Sequence, residues 1–565
     1  MSEIFESIFN LKLIYIFEIR DDAHKGLLKI GDATIETKTK IKDLRPNCAE
    51  LNKAAKKRID EYTRTAAIKY ELLHTELAIK NDEDKNLKAF RDYDVHNVLK
   101  NSGIQKVKFG DSNGKEWFQI DLKTAISAIK AVKDGWNNLS SIKIDTRTPI
   151  DFRPEQEKAI KNTIAQFKEH NNMLWNAKMR FGKTLSALEV VRLMKFKRTI
   201  IMTHRPVVDD GWYDDFGKIF FREEDKYVYG SRSRGDTIAS LEKKKVNFVY
   251  FASIQDLRGS ARAGGKFDKN DDVFDTEWDF VIVDEAHEGT QTALGEDVIK
   301  HIVKKNSKFL ALSGTPFNIL GNYEDDAIYT WDYIMEQRAK LNWSKEHFGD
   351  SNPYENLPSM SIYTYNLGQL LSTNAYVELE DKAFNFREFF RVNDNGSFCY
   401  ESDIKKFLDL ITKKDEKSNY PYSKEEYRDL FQHTLWMVPG VKEAQALKEL
   451  MKKHPIFGNG LFHIINVAGN DGEEASNALV SVKNAINDCP DGECTITLSC
   501  GKLTTGVTIP EWTAVFMLAG SFSTSAANYL QTIFRVQSPC NKNGMIKEKC
   551  YVFDFAPDRT LKMVA

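Results

Sequence analysis

Two kinds of hydrophobic pattern divide the chain. From residue 172 onward, short apolar runs are separated by longer stretches in which apolar positions recur at helical spacing. The runs at 199–202 (TIIM), 247–252 (NFVYFA), 280–283 (FVIV) and 309–312 (FLAL) are four to six residues long and rich in β-branched and aromatic residues. That length and composition predict strands buried on both faces. Residues 156–167 and the stretch from Leu185 read as helices between them. The alternation resumes with strands at 435–438, 462–467, 495–498, 514–518 and 551–555, and helices at 441–451 and 526–534. It predicts two α/β domains built on parallel sheets.

The first quarter of the chain is patterned differently. Residues 11–19 (LKLIYIFEI) and 27–30 flank the turn His24-Lys25-Gly26 and predict a β-hairpin. A basic helix at 49–62, a strand at 70–79, a helix opening at 95–99, a strand at 116–120 and an alanine-rich helix at 125–132 complete a small α+β unit. Residues 136–150 are polar and turn-forming, as in a linker. The expected layout is a small domain with its linker over 1–145, an α/β domain over 146–325, a connector over 326–357 and a second α/β domain over 358–565. The last carries a charged, mostly helical insertion near 378–430.

Length and charge narrow the classes. With 565 residues the chain suits several domains, and 42% hydrophobic with 29% charged content suits globular ones. The net charge of −2 means that any nucleic-acid surface must be local, and the basic runs from Lys53 to Arg58 and Lys243 to Lys245 read, each alone, as solvated helix faces. Seven cysteines without a CxxC pair argue against a disulfide framework or a zinc ribbon. The apolar run at 11–17 is too short to span a bilayer and is followed by charge. The expectation is a cytoplasmic protein with no membrane partner.

Candidate chemistry begins at residues 172–189 (NMLWNAKMRFGKTLSALE), a strand, a tight loop ending Gly182-Lys183-Thr184, and a helix. Amide groups at a helix N-terminus favour anionic oxygens. Lys183 would neutralise the phosphates of ATP and Thr184 would place its hydroxyl on Mg²⁺. Ala177 stands where the first glycine of such loops is usual, and Arg180-Phe181 fill positions that are often small. Upstream, Arg153-Pro154-Glu155-Gln156 opens a helix, with Arg153 and Gln156 as candidate nucleotide contacts and Gln156 as the adenine contact. The 280–283 strand ends in Asp284-Glu285-Ala286-His287. Asp284 there could hold Mg²⁺, and Glu285 could orient the attacking water. The 309–312 strand ends in Ser313-Gly314-Thr315-Pro316. Loop residues beyond strands, His204, Arg205 and Thr505, are candidate nucleic-acid contacts, with helix capping as the plainer role.

This series, taken in order, resembles the first RecA-like domain of superfamily 2 helicases of the DEAH type. The second domain resembles its partner, with Gly506 in one motif and Gln531 and Arg535 in another. Phe534 replaces the glycine of that last motif, and Ser538 replaces its second arginine, usually the finger that reaches the γ-phosphate. Thr508 stands where an aspartate is frequent.

The N-terminal unit resembles GIY-YIG nucleases. Leu13-Ile14-Tyr15 takes the first motif, Lys29-Ile30-Gly31 the second, and Asp92 to His96 and Glu116-Trp117-Phe118 the later ones. The resemblance implies Tyr15 and His96 for proton transfer, Arg58 for the phosphate, and Asp92 as metal ligand with Asp94 in reserve. Together the two resemblances imply an ATP-dependent DNA helicase or translocase coupled to a metal-dependent endonuclease, as in restriction and phage defence. Further subunits or C-terminal domains of a defence complex are possible partners. The alternatives are an ATP-gated DNA-binding scaffold with an inactive nuclease-like domain, and an RNA helicase.

Overall fold

The computed structural model describes residues 5–63, 68–107, 116–140, 150–203, 209–222, 225–232, 234–267, 270–289, 293–316, 318–346, 352–370, 384–413, 419–469, 475–501, 508–519 and 526–556. Three large sheets organise them.

The N-terminal sheet is antiparallel. It is built on β1 (Phe9–Ile19) and β2 (Leu28–Ile35), with α1 (Ala49–Thr63), β3 (Tyr70–Leu77), α2 (Asp92–Asn101), β4 (Trp117–Phe118) and α3 (Leu122–Lys133). Tyr15 pairs with Gly31 and Phe17 with Lys29 across β1 and β2. Alternation along β1 sends Leu13, Tyr15 and Phe17 to one face, where α1 contributes Leu51, Ala55 and Ile59. Ile14 and Ile16 go to the other face, against Val95, Val98 and Leu99 of α2 and Ala125 and Ile129 of α3.

The second sheet follows α4 (Pro154–Glu169). Its strands are β5 (Asn172–Ala177), β6 (Arg198–Thr203), β7 (Tyr227–Ser231), β8 (Asn247–Ser253), β9 (Phe280–Asp284), β10 (Lys308–Ser313) and β11 (Ile328–Trp331), with α5 (Lys183–Met194) after β5. They lie in the order β11-β5-β10-β9-β6-β8-β7. All are parallel. Residues 280–283 are buried without interruption, as a strand covered by helices on both faces requires. Because β5, β10 and β9 are neighbours, the loops after them converge at one edge.

After α6 (Tyr333–Glu346) comes the third sheet, with β12 (Ser359–Thr364), β13 (His433–Met437), β14 (Phe462–Asn466), β15 (Cys494–Ser499) and β16 (Ala514–Met517). Then follow α7 (Ala526–Ile533), a short hairpin of β17 (Asn541–Lys542) and β18 (Met545–Lys547), and β19 (Lys549–Asp554). The third sheet runs β12-β19-β16-β13-β15-β14, also parallel throughout. The helical stretch expected as an insertion packs into this domain. Phe389, Phe407, Leu408 and Ile411 share a core with Trp436 and Phe516.

One connection was not expected from the pattern. The hairpin β17-β18 leaves its own domain and pairs with β1, with Phe9 opposite Lys547 and Leu11 opposite Met545. Around this joint the Lys12 ammonium, almost fully buried, meets Glu548 at 2.6 Å and donates to Thr34 Oγ1 at 2.7 Å. Asn541 exchanges two hydrogen bonds with the backbone of Ala89. Ahead of β1, Phe5 is fully buried, edge-on to Tyr363, Tyr427, Phe431, Tyr551 and Phe553 of the third-sheet domain. Phe5→Ala should therefore lower unfolding stability by about 3–5 kcal/mol, the usual result of emptying a phenylalanine site in a packed core. Denaturant unfolding followed by tryptophan fluorescence measures it.

Candidate functional site

The loop between β5 and α5 is held in a strained path. Arg180 and Gly182 both have left-handed backbone, φ 71° and 89°. A Cβ on Gly182 would lie 2.4 Å from Gln156 Nε2 and displace that side chain from the loop, so the close approach adds to the left-handed backbone in favouring glycine. Gln156 Nε2 donates to the Phe181 carbonyl at 2.7 Å. Arg153 Nη2 donates to the carbonyls of Phe181 at 2.6 Å and Arg180 at 3.2 Å. These two residues brace the loop from behind.

Lys183, the first residue of α5, turns its ammonium back onto the carbonyls of Ala177 (2.8 Å) and Lys178 (3.4 Å). Its positive charge is felt by Asp284 at the end of β9. Enclosure in the cleft and the neighbouring Glu285 carboxylate raise the Asp284 carboxyl to about 6, against the opposing pull of Lys183. Glu285 itself has left-handed backbone, φ 48°, and its amide donates to Asp284 Oδ1 at 3.0 Å. Thr184, half-buried, adds a hydroxyl on the turn that follows Lys183. A hydroxyl and a carboxylate are hard oxygen donors suited to Mg²⁺.

Residues from the third-sheet domain close this cleft. Gln531 Nε2 of α7 donates to His287 Nε2 at 2.8 Å, which leaves His287 Nδ1 to donate to Ser313 Oγ at 2.8 Å. Gln531 also reaches Thr315 Oγ1 at 3.4 Å. His287 thus joins the end of β9, the end of β10 and the opposite domain. Lys178 Nζ bonds Glu336 Oε1 of α6 at 2.7 Å and Gln537 Oε1 at 3.0 Å, all nearly without solvent access. Arg180 donates to Ser538 Oγ and, at 3.3 Å, to Thr508 Oγ1. Arg535 is buried in the turn that follows α7. His204, Arg205, Thr505 and Gly506 lie outside the described residues.

In the N-terminal unit the candidate residues form two groups. Tyr15 lies flat over Gly31, where a Cβ would meet its hydroxyl at 2.5 Å, and packs against α1. Arg58 of α1 bonds Glu61 at 2.7 Å and lies beside a cavity of about 640 Å³ lined also by Lys53, Lys57 and Glu355. Asp92 and His96 belong to α2, on the other face of the sheet, with Glu116 just ahead of β4. One ligand atom from each of Asp92, His96 and Glu116 lies within 4.8 Å of the others, and all three residues are buried. His96 Nε2 donates to the Ile30 carbonyl at 2.9 Å, and its buried Nδ1 has no hydrogen-bond partner among the described residues. Burial, aided by Lys106, lowers the imidazole to about 3, so it is neutral at ordinary pH. Two carboxylates and a neutral imidazole with an unsatisfied nitrogen fit a divalent cation. The sequence reading gave His96 to proton transfer beside Tyr15; the sheet separates those two, and His96 sits with Asp92 instead. Asp94 caps α2, accepting from the Arg91 amide at 2.9 Å.

Comparison with known proteins bears on the first cleft. Residues 149–318 match the family described as "Type III restriction enzyme, res subunit". A relative from Mycoplasma pneumoniae (strain ATCC 29342 / M129 / Subtype 1), described as "Putative type II restriction enzyme and methyltransferase RM.MpnORF110P C-terminus", is 28% identical over 455 residues. The match covers 70% of this chain and 62% of that protein, so the chain spans under two thirds of its relative's length. Among solved structures, "ATP-dependent Type ISP restriction-modification enzyme LlaBIII bound to DNA" aligns at a TM-score of 0.44 and 15% identity, over 72% of this chain and 28% of that one. The "Sulfolobus solfataricus SWI2/SNF2 ATPase core in complex with dsDNA" aligns at 0.30 and 13% identity, over 73% and 89%. Among the described residues no helix is long and apolar enough to cross a membrane.

Sequence reasoning passed over four residues. Glu116 was visible in the EWF motif without a ligand role. Lys178 and Glu336 carry no local signal, since they meet from positions 158 residues apart. Arg180 had a signal: a bulky cation in a loop position that is usually small.

Glu355, from the segment between the two parallel sheets, ties the N-terminal unit in place. It accepts from Arg91 Nη2 at 2.5 Å, while Asn356 Oδ1 accepts from Arg91 Nη1 at 2.7 Å. Burial alone would raise the Glu355 carboxyl, but Arg91, Lys12 and Arg58 overcome it and hold it well below the usual range. Such a group adds stability above about pH 4.3, where an unfolded glutamate is ionised, and loses it as pH falls toward the depressed folded value. Between about pH 5 and pH 3 the parent's urea midpoint should therefore fall more steeply than that of Glu355→Gln.

Proposed function

We propose that the chain is an ATP-dependent DNA translocase or helicase of the restriction-enzyme type, coupled to a metal-dependent endonuclease, acting in the cytoplasm in restriction or phage defence. The observation that carries the motor half is the convergence of Lys183, Asp284 and Glu285 on one cleft, closed by Gln531 from the opposite domain through His287. The match of residues 149–318 to the restriction-enzyme family supports the same reading.

In this reading Lys183 exchanges its two carbonyl contacts for phosphate oxygens. The left-handed loop presents its amides to the same anion. Thr184 and Asp284 would hold Mg²⁺, which neutralises charge between phosphate oxygens when bound. Glu285 orients water for attack. His287 hydrogen-bonds both to Ser313 and to Gln531, so loss of the terminal phosphate near Glu285 is felt at α7. Alternating closure and opening of the two sheet domains then moves a nucleic-acid strand bound across them. His204, Arg205 and Thr505 are proposed strand contacts, with Gly506 beside the nucleotide; such binding is salt-dependent and largely blind to sequence.

The nuclease half is supported by the Asp92, His96 and Glu116 set, with Tyr15 and Arg58 as candidates for the scissile phosphate. A second reading, a DNA-binding module that does not cut attached to an ATP-gated clamp, is favoured by the sheet that stands between the two groups.

Lys183→Ala and Glu285→Gln should each lower ATP turnover at least about a hundredfold, with melting temperatures unchanged; turnover near the parent's in either variant would refute the cleft. Arg58→Ala should abolish Mg²⁺-dependent nicking of plasmid DNA while ATP turnover stays at the parent level. Equal nicking by both proteins would refute the role given to Arg58, and a parent that does not nick would favour the non-cutting reading.

A further inference from the structure

Among the described residues Arg180 is a cation without an anion. Its fork donates to Ser538 Oγ and Thr508 Oγ1, both neutral hydroxyls of the opposite domain. Its Nε is buried and has no hydrogen-bond partner among the described residues. No carboxylate within ion-pair distance of it occurs there either, although Arg58, Arg91, Arg153, Arg192 and Arg198 each have one. Burial pushes the Arg180 guanidinium down from its ordinary value, with no opposing charge to lift it. Arg180 is half-buried, and withdrawing even part of a guanidinium from water without a counter-charge is unfavourable. The same residue has a left-handed backbone, φ 71°, a conformation that is itself unfavourable for a non-glycine residue. Two such costs at one residue point to something the residue does.

Its surroundings indicate what would answer the charge. Arg180 stands three residues before Lys183, in the loop whose amides and lysine form the anion side of the cleft. Lys178, its neighbour in the loop, is already neutralised by Glu336, so Arg180 is the loop cation left for a ligand. Ser538, the hydroxyl it touches, is held in turn by the Arg535 carbonyl at 3.1 Å. An oxyanion entering between the two domains would meet Lys183 from one sheet and the Arg180 fork at the seam with the other.

We propose that Arg180 binds the terminal phosphate of the nucleotide, supplying from the loop itself the cation that the opposite domain lacks at Ser538. The proposal rests on the nucleotide reading of the cleft. It makes Arg180 a reporter of the triphosphate: with the γ-phosphate present the fork is drawn to it, and after release the fork returns to Ser538 and Thr508.

The test uses the full chain and the variants Arg180→Gln and Arg180→Lys. Glutamine keeps a donor for Ser538 without the charge; lysine keeps the charge without the fork. ATP turnover is measured beside the affinities for ADP and for a non-hydrolysable ATP analogue. The expected result for Arg180→Gln is a fall in kcat of at least about a hundredfold, the scale on which such arginines act. Analogue affinity should fall at least about tenfold while ADP affinity stays within about threefold, with Arg180→Lys between it and the parent. In the Arg180→Gln background, Ser538→Arg should restore at least about tenfold of the lost turnover. A kcat for Arg180→Gln within about threefold of the parent, or equal losses for ADP and the analogue, would overturn the proposal while leaving the nucleotide site standing. If the parent binds neither nucleotide, the site reading falls and this proposal with it.

Discussion

A lysine ammonium with almost no access to water stays charged only if an anion meets it, and Lys178 meets Glu336 at 2.7 Å. Burial lowers the Lys178 amine and Glu336 opposes it. Breaking such a pair on one side leaves a buried charge uncompensated, which is more damaging than losing an exposed bridge. The contact joins the loop after β5 to α6, and Gln537 adds the turn after α7 while donating to the Pro358 carbonyl at 3.0 Å. Three separate segments thereby fix the depth of the cleft. The positions of Lys183, Asp284 and His287 relative to Gln531 follow from that depth.

The cleft is polar on both walls, and that suits a seam that opens. An apolar seam of the same extent would bury hydrophobic surface at each closure and resist reopening. Hydroxyls, amides and one imidazole give direction with small net stabilisation. The firm, dehydrated contact at Lys178 lies to one side, whereas the exchangeable contacts at Arg180 and His287 lie where the proposed ligand enters.

Much of this was legible in the sequence, and the reason is local. Buried parallel strands read as unbroken apolar runs, so residues 280–283 and 309–312 placed Asp284 and Ser313 at strand ends before any coordinates were known. Glycine at 182 and lysine at 183 carry their meaning within a few residues. What was not legible depends on long-range partners. Gln156 reads as a nucleotide contact, and its bond to the Phe181 carbonyl 25 residues away carries no local signal. Tyr15, Arg58, Asp92 and His96 form one list in the sequence, yet residue parity along β1 and the placement of α1 and α2 put them on two faces. The hairpin strands β17 and β18, two and three residues long, are too short for any periodicity, so their exit to a foreign sheet left no trace.

That exit has a mechanical consequence. A β-ladder transmits displacement without slack, and β1 is laddered to β18 while Phe5 is wedged into the third-sheet core. The N-terminal unit is therefore an outrigger of the third-sheet domain, and any change at the cleft would carry the two together. Without it the third-sheet domain would be left with a bare strand edge at β18 and an empty aromatic socket where Phe5 sits.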